Sequence, residues 1–266
     1  MRVDVDAIDP RLEPYRHVGD SPWLRAHGLF VAEGRLVVER LTATRRYAID
    51  SVLVTPAAYA ALASSLASAD TDVLVCSPVL LEQITGFDFH RGCLALARRP
   101  ALPDDGAWLG RDQSVLVLDG IGNPDNVGGL FRTAAALGAG GLLITAATAD
   151  PLYRKSIRTS MGAVLQLPWF TVSSATAAAS RLRAHGYEIV ALTPRADAMV
   201  LERLAARRLR RVALVLGAEG HGLSTEALES ADHRVRIAQA RGVDSLNVVV
   251  AAGIALHALC GPAPAE

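Results

Sequence analysis

The sequence has almost no lysine and no excess of charge of either sign. Its 27 basic residues are 26 arginines and Lys155, and they balance 27 aspartates and glutamates at a pI of about 7.1. A neutral chain is unlike a protein that coats DNA, which needs a large positive excess to displace counterions, although a local basic patch remains open. We interpret the preference for arginine first as a bias of the genome and second as a supply of phosphate-binding side chains.

The chain also lacks a long apolar run, a secretory leader and a regular cysteine pattern. Its longest apolar stretch covers residues 248–260 and is interrupted by Gly253 and His257, whereas a transmembrane helix needs about 20 such residues. The first ten residues carry three aspartates instead of a basic and apolar leader. The cysteines, Cys76, Cys93 and Cys260, are scattered and odd in number. These absences predict a cytoplasmic protein with buried, reduced thiols and without membrane or metal sites.

The apolar pattern predicts two α/β domains. Residues 100–106 form a linker, because prolines, a glycine and paired aspartates interrupt every periodicity there. Residues 1–99 form a small α/β domain that begins with a helical, proline-punctuated arm. In residues 107–266, continuous Val/Ile/Leu runs alternate with helical patterns, which predicts a mostly parallel sheet covered by helices on both faces. The predicted strands are Ser114–Leu118, Gly141–Thr145, Glu188–Thr193, Val212–Leu216 and Arg234–Ala238.

Ligands of such sheets bind beyond the carboxyl ends of the strands, so the loops at those ends are the place to look for a site. The first loop, 118–134, opens a helix, with Asn126 at the expected N-cap and Arg132 near two turns further on. A plain helix cap and a solvated helix face are the structural alternatives for these two residues. The second loop, 214–224, sets three glycines around Glu219, which lets the backbone approach a ligand closely. Glu219 either contacts that ligand or points to solvent.

The third loop, 235–248, again joins a strand to a helix. Ser245 and Asn247 flank the start of that helix, where capping is the alternative interpretation for each. Each loop alone is weak evidence, but together they describe a site at one edge of one sheet. The sheet could also suit a nucleotide-dependent oxidoreductase, but the glycine fingerprint G-x-G-x-x-G is absent in the required register.

These three loops resemble motifs 1, 2 and 3 of the SpoU/TrmH family of RNA ribose 2′-O-methyltransferases, within the SPOUT superfamily. The family's Asn-x-Gly followed by Arg-Thr-Ala is matched within 126–134, and its Gly-x-Glu-Gly-x-Gly-(Leu/Met)-Ser is matched at 217–224. The Ser-Leu-Asn-Val of motif 3 is matched at 245–248. Residues 160–163 are similar to a further family element, and residues 30–39 with 90–93 are similar to the ribosomal-protein-like domain that many members carry.

Motif 3 also departs from the family pattern. Ala238 and Gln239 replace its Pro-Met, and Arg241 stands at its first glycine position, followed by Gly242. Because that loop wraps the cofactor in the family, we expect cofactor affinity or loop shape to be the property that these replacements change.

The resemblance implies both a fold and an activity. The fold is a C-terminal SPOUT α/β domain with a deep trefoil knot, preceded by a small substrate-binding α/β domain, in a homodimer whose interface helps to form the active site. The activity is transfer of a methyl group from S-adenosylmethionine to a ribose 2′-hydroxyl, foremost of ribosomal RNA, with no metal. A tRNA 2′-O-methyltransferase and a non-catalytic RNA-binding module on the ribosome remain alternatives.

The resemblance also nominates individual residues. Arg132 is the residue nominated to activate the hydroxyl, and because a guanidinium stays protonated in proteins we expect it to bind an RNA phosphate and the developing alkoxide. The catalytic candidates are Asn126, Arg132, Glu219, Ser245 and Asn247, of which the other four would fix the geometry of Arg132. The cofactor candidates are Thr193, Leu216, Gly217, Ala218, Gly220, Ile237, Ser245 and Leu246. The candidates for RNA contacts, each with a solvated surface charge as its alternative, are Arg45, Arg46, His90, Arg91, Arg154, Lys155 and Arg158.

Charge is distributed unequally between the two domains. Residues 1–106 contain 11 basic and 14 acidic residues, whereas residues 107–266 contain 16 basic and 13 acidic residues. Neutrality is therefore the sum of −3 and +3, and we expect the arginines of the second domain to lie where methyl transfer happens.

Overall fold

The structure is a computed structural model that describes residues 1–67, 69–86, 92–100, 106–111, 113–240 and 245–260, with only the backbone of residue 260. The chain divides into two compact units, one formed by Met1–Leu102 with Pro151–Gln166 and the other by Pro103–Asp150 with Leu167–Glu266. No helix within the described ranges is long and apolar enough to span a membrane. Most of the predicted linker lies outside the described residues.

The first unit is built on a mixed five-stranded sheet. Its strand order is β1-β4-β3-β5-β2, with β5 antiparallel to both of its neighbours and the remaining pairs parallel. Leu53, Leu74 and Leu94 lie in the core of this unit. Its elements up to residue 98 are β1 (Arg2–Asp4), a 3-10 turn (Pro10–Leu12), α1 (Glu13–Arg16), α2 (Ser21–Ala26), β2 (Leu29–Glu33), α3 (Arg35–Thr44), β3 (Ile49–Val54), α4 (Pro56–Ala67), β4 (Asp72–Val75), α5 (Pro78–Thr85) and β5 (Cys93–Arg98).

The segment Pro151–Gln166 belongs to the first unit, and this assignment corrects the predicted placement of three basic residues. It contains α7 (Arg154–Thr159) and α8 (Ala163–Gln166), which pack on β2 and α3 of the first unit. Arg40 Nη1 donates to the carbonyl oxygen of Met161 at 2.6 Å and anchors the segment there. Arg154, Lys155 and Arg158 therefore belong to the first compact unit, although their position in the sequence had assigned them to the second domain.

The second unit confirms the predicted parallel sheet. All pairs in its seven-stranded sheet, ordered β10-β12-β9-β11-β6-β7-β8, are parallel. The central strands are buried on both faces, as their continuous apolar runs require. Its elements are β6 (Val115–Asp119), α6 (Pro124–Ala136), β7 (Gly141–Thr145), β8 (Trp169–Val172), α9 (Ala175–Ala184), β9 (Glu188–Leu192), β10 (Met199–Val200), α10 (Leu201–Ala205), β11 (Val212–Gly217), α11 (Thr225–Glu229), β12 (His233–Arg236) and α12 (Val248–Cys260).

One predicted helix start is wrong. Helix α6 begins at Pro124 and its N-cap is Asn123, whose side chain accepts the backbone N–H of Asp125 at 2.9 Å. Pro124 at the first helical position explains the earlier start, because proline's fixed φ suits it and its missing N–H costs nothing there. Asn126 thus lies inside the first turn, and its side chain is not needed as a cap.

Two of the three cysteines are buried free thiols, as predicted. Cys76 and Cys93 are both buried in the first unit and neither forms a disulfide. Burial raises the pKa of Cys76 to about 11 and that of Cys93 to about 12. Both thiols therefore stay protonated at neutral pH and act as small apolar side chains.

Candidate functional site

A cavity of about 280 Å³ lies where the carboxyl ends of three neighbouring strands meet the start of α12. It is built by residues that follow β9, β11 and β12, which are neighbours in the sheet, and by the first turns of α12. All eight cofactor candidates line it: Thr193, Leu216, Gly217, Ala218, Gly220, Ile237, Ser245 and Leu246. Residues of motifs 2 and 3 thus converge on one cavity at the carboxyl edge of the sheet, where such sites are expected, whereas no described residue of motif 1 lines it.

The loop after β11 folds back tightly on the strand. The N–H of Gly222 donates to the carbonyl oxygen of Ala218 at 2.9 Å, and Gly220 and Gly222 adopt φ values of +91° and +71°. A β-carbon added at Gly217 would overlap the backbone of Gly222 and Leu223. Residue 217 must therefore be glycine, because this close approach of backbone to backbone leaves no room for a side chain.

Asp119 ties the same loop to the neighbouring strand. Its carboxylate lies at the end of β6, is buried, and accepts the backbone N–H of Ser224 at 2.9 Å through Oδ2. Gly217 pairs in register with Asp119 across β11 and β6. The two ends of the glycine loop are therefore fixed to the sheet. Sequence reasoning missed Asp119, although a carboxylate that ends an otherwise apolar strand was a usable signal.

The side chains of two catalytic candidates contact each other. Asn247 Nδ2 donates to Oδ1 of the buried Asn126 at 3.1 Å, while Asn247 Oδ1 accepts the N–H of Val249 at 2.9 Å. Asn247 consequently caps α12 and also joins the start of α12 to the start of α6. The functional and the capping interpretations of Asn247 are compatible with one another.

The other catalytic candidates form no hydrogen bond with Arg132 in the part of the chain that the structure describes. Glu219 and Ser245 line the cavity, whereas Arg132 does not. Arg132 is exposed on α6, and in the ranges that the structure describes no hydrogen bond or ion pair is found for it. The described residues thus show no hydrogen bond through which Asn126, Glu219, Ser245 or Asn247 would fix Arg132 within one chain, and that expectation stays a prediction.

The described lining of the cavity has little charge, and it includes residues that the sequence did not predict. Among the lining residues that the structure describes, Glu219 is the one charged group, and the others are apolar, small or uncharged polar residues. Gln239, one of the departures from motif 3, lines the cavity, whereas Ala238 does not, and Arg241 and Gly242 lie outside the described residues. The unpredicted lining residues, most of them sequence neighbours of predicted ones, are Leu192, Pro194, Gly222, Gln239, Val248 and Ala251.

The predicted RNA contacts are spread over the first unit. Arg45 is exposed in a left-handed turn, and the Arg46 guanidinium lies 5.8 Å from the centre of the Tyr47 ring. Arg154 Nη1 lies 3.5 Å from Oε2 of the buried Glu33, so this arginine forms an ion pair within the unit. Lys155 and Arg158 are exposed on α7.

Two of the predicted RNA contacts, His90 and Arg91, lie outside the described residues. Among the described residues, no group of three or more His, Cys, Asp or Glu side chains could hold a metal ion.

Comparisons with known proteins agree with this geometry. The family model described as the SpoU rRNA Methylase family matches residues 113–257. A protein named as an uncharacterized tRNA/rRNA methyltransferase of Mycobacterium bovis is 36% identical over 95% of this chain and 89% of that protein. A 23S rRNA (guanosine-2′-O-)-methyltransferase of Nitrosomonas europaea is 32% identical over 73% of this chain and 75% of that protein. The structure of an AdoMet-bound rRNA methyltransferase from Sinorhizobium meliloti superposes with a TM-score of 0.79 at 25% identity, covering 97% of both chains.

Proposed function

The chain belongs to the SpoU rRNA methylase family, and from this premise we propose that it transfers a methyl group from S-adenosylmethionine to a ribose 2′-hydroxyl of ribosomal RNA. The observation that carries the proposal is the convergence of all eight cofactor candidates on one cavity. The 23S rRNA (guanosine-2′-O-)-methyltransferase of Nitrosomonas europaea supports the choice of ribosomal RNA over tRNA. We place this activity in the cytoplasm.

The cavity residues fit S-adenosylmethionine. The cofactor supplies an electrophilic methyl group on a positively charged sulfur when it is bound. The carboxylate of Glu219 is the one charged group among the described lining residues, and it suits a cation in a cavity whose other described residues are uncharged. The glycine loop leaves backbone groups of Gly217 and Gly220 accessible to a ligand. A volume of about 280 Å³ is close to the lower end of the roughly 300–1,000 Å³ range of small-molecule sites.

The protein's own contribution is alignment and charge stabilisation. Holding the hydroxyl in line with the methyl group can lower the barrier by several kcal/mol, about 7–11 in the best intramolecular cases. Arg132 binds an RNA phosphate and stabilises the negative charge that develops on the attacking 2′-oxygen. The mutual hydrogen bond of Asn126 and Asn247 joins the start of α6 to the start of α12, whose first turns line the cavity. Because Arg132 does not line the cavity of its own chain, its placement fits a site that is completed in a homodimer.

The other parts of the proposal concern architecture. Residues 1–99 form a ribosomal-protein-like domain that binds RNA through Arg45, Arg46, His90 and Arg91, joined by Lys155 and Arg158 of the segment 151–166, and residues 107–266 form the methyltransferase domain with its trefoil knot. The mixed sheet of the first unit and the parallel sheet of the second support this division. The segment 151–166 qualifies it, because this part of the second domain packs on the first unit.

The test of the proposed function measures transfer and binding separately. Radiolabelled S-adenosylmethionine is offered with ribosomal RNA and with tRNA, and methylated riboses are mapped in RNA from cells with and without the protein. We expect Arg132→Ala to abolish transfer while calorimetry shows nearly unchanged cofactor affinity. Full turnover by this variant would remove Arg132 from the mechanism. A wild-type protein that binds RNA but not S-adenosylmethionine would instead be a non-catalytic module.

A further inference from the structure

The glycine loop leaves the sheet beside Asp119 and returns to the side chain of the same residue. It departs after Gly217, which pairs in register with Asp119 across β11 and β6. It returns at Ser224, whose backbone N–H donates to Asp119 Oδ2 at 2.9 Å. Between these two contacts lie residues 218–223, and four of them line the cofactor cavity. Asp119 therefore closes a loop that supplies a quarter of the sixteen lining residues.

The Asp119 carboxylate is well suited to hold this loop. The residue ends a buried strand and is itself 9% exposed. Among the described residues, the bond to Ser224 is the one hydrogen bond found for its side chain. A buried carboxylate is costly without a donor, and a hydrogen bond to an ionised acceptor is stronger than one between neutral groups. Opening the loop would therefore leave this carboxylate without its donor.

The strand end that carries Asp119 is fixed independently of the loop. The N–H of Gly120 donates to Thr145 Oγ1 at 3.0 Å, and Thr148 Oγ1 donates to the carbonyl oxygen of Leu118 at 3.0 Å. Both threonines belong to the end of β7 and the turn after it. The end of β6 is thus held by β11 on one side and by the β7 turn on the other. Asp119 consequently offers the loop an attachment point that does not move with it.

The loop itself contains few other constraints. Its internal contact is the hydrogen bond from the N–H of Gly222 to the carbonyl oxygen of Ala218. The side chains of Glu219 and His221 form no hydrogen bond or ion pair in the part of the chain that the structure describes. Leu223 packs partly buried against the core and is the other anchor at the returning end. Three of residues 217–222 are glycines, so the closed conformation depends strongly on how the two ends are held.

We propose that Asp119 is a positioning residue for the methyl donor, because its carboxylate holds the glycine loop closed in the conformation that binds S-adenosylmethionine. Asp119 does not line the cavity, so it acts through the loop and not by contact with the ligand. The proposal rests on the proposed function for the identity of that ligand.

The expected effect is on cofactor binding and not on the transfer step. A loop that is already ordered in its bound conformation raises affinity, because binding need not order it. If only a fraction of the molecules has the closed loop, the apparent dissociation constant rises by the inverse of that fraction. Saturating cofactor selects the closed loop again. Loss of the Asp119 contact should therefore raise the KM for S-adenosylmethionine and leave kcat close to its wild-type value.

The first experiment changes the acceptor. Calorimetry measures S-adenosylmethionine affinity for Asp119→Ala and Asp119→Asn at a temperature where thermal unfolding shows every variant to be folded. We expect Asp119→Ala to bind about tenfold more weakly, in line with the loss of a hydrogen bond to a charged group. Asp119→Asn keeps an oxygen that can accept the N–H of Ser224 and should recover most of the affinity. Steady-state kinetics should show the same order in KM at nearly constant kcat.

The second experiment removes the donor. Ser224 has a φ of −61°, which proline can adopt, and Ser224→Pro deletes the N–H that Asp119 accepts. Ser224→Ala is its matched control, because both changes remove the side-chain cap to Ala227 but alanine keeps the N–H. Ser224→Pro should weaken binding about as much as Asp119→Ala, and Ser224→Ala should bind nearly as the wild type does. Asp119→Ala/Ser224→Pro should bind no more weakly than Ser224→Pro alone, because both changes remove the same hydrogen bond.

A variant of the first unit separates positioning from general stability. Tyr15→Phe removes a buried hydrogen bond to the Ser51 hydroxyl at 2.8 Å. It should lower the unfolding temperature without changing S-adenosylmethionine affinity. If Asp119 were merely structural, Asp119→Ala would behave in the same way. If Asp119→Ala does not fold, the comparison of Ser224→Pro with Ser224→Ala still decides.

Three results would overturn the proposal. Wild-type affinity in Asp119→Ala and in Ser224→Pro would show that the hydrogen bond does not hold the binding conformation. An equal loss in Asp119→Asn and Asp119→Ala, with wild-type binding by Ser224→Pro, would assign the effect to the negative charge instead. A wild-type protein that does not bind S-adenosylmethionine would refute the proposed function and this proposal with it, whereas wild-type binding that no variant weakens would refute this proposal alone.

Discussion

At the scale of single residues, Gly217 is the position where the cavity leaves no choice of side chain. The obstacle is backbone of Gly222 and Leu223 rather than a movable side chain, so Gly217→Ala can be accommodated only by opening the loop. We expect S-adenosylmethionine affinity to fall at least tenfold and stability to drop by about 1–3 kcal/mol. Calorimetry and thermal unfolding measure the two effects.

Gly122→Ala is the matched control for Gly217→Ala. It lies in another loop of the same unit, and an added β-carbon there would meet no atom within 4 Å. It should bind S-adenosylmethionine like the wild type. Wild-type affinity in Gly217→Ala would show that the glycine loop does not hold the cofactor.

Asn247 combines two roles that substitutions can separate. Asn247→Asp keeps an oxygen that can accept the N–H of Val249 but replaces the amide that donates to Asn126. Asn247→Ala removes both interactions. We expect Asn247→Ala to lose about 1 kcal/mol of stability through the missing cap, Asn247→Asp to stay near wild-type stability, and both to lose most of the methyl transfer rate. If Asn247→Asp retained full activity, the Asn126 contact would be unnecessary for the reaction.

At the scale of elements, the sequence predicted what periodicity can encode. Continuous apolar runs placed β7 at its observed bounds, and β9 and β11 to within one residue at their ends. It missed β8, because Trp169–Val172 is only partly buried and follows Pro168 without a clear period. It also missed the packing of residues 151–166 on the first unit, since this packing depends on long-range contacts such as Arg40 with Met161. Strand order and the pairing of Asn126 with Asn247 likewise depend on tertiary structure.

The close approach of α6 to α12 supplies a prediction about that tertiary structure. A β-carbon at Gly129 would lie 2.7 Å from Val249 Cγ2 and 3.1 Å from its Cγ1. Gly129→Ala should therefore destabilise the protein by about 1–3 kcal/mol, despite the gain of about 1 kcal/mol in helix propensity. Val249→Ala removes the opposing methyl groups, so the double variant should be more stable than the sum of the single effects predicts. Chemical denaturation of the four proteins provides the test, and strict additivity would show that the two residues do not constrain each other.

At the scale of the whole molecule, the positive charge of the second domain can be assigned to one part of the fold. The neutral total conceals a second domain whose positive excess lies wholly in residues 203–211, at the amino edge of its sheet. The cavity at the carboxyl edge is lined by uncharged residues and, within the described part of the chain, by the single carboxylate of Glu219. The net charge of zero therefore says little about either edge of the sheet, because a ligand meets the local charge and not the net charge.

The homodimer that we propose makes a prediction about α12. One face of this helix is buried in its own unit by Ala252, Ala255 and Leu256, whereas Val250 is 51% exposed and Ile254 is 41% exposed one turn later on the opposite face. If a second copy covers this face, Val250→Glu/Ile254→Glu should yield a monomer in size-exclusion chromatography with light scattering, because carboxylates would be buried in the interface.

Neither Val250 nor Ile254 lines the cavity, so the monomer should still bind S-adenosylmethionine. It should nevertheless lose methyl transfer, since the site would lack the partner's contribution. Val79→Glu is the matched control, because Val79 is 65% exposed on α5 of the first unit and its change should leave both mass and activity intact. A wild-type monomer, or a dimer that persists in Val250→Glu/Ile254→Glu, would mean that this face of α12 does not form the interface and that Arg132 acts within its own chain.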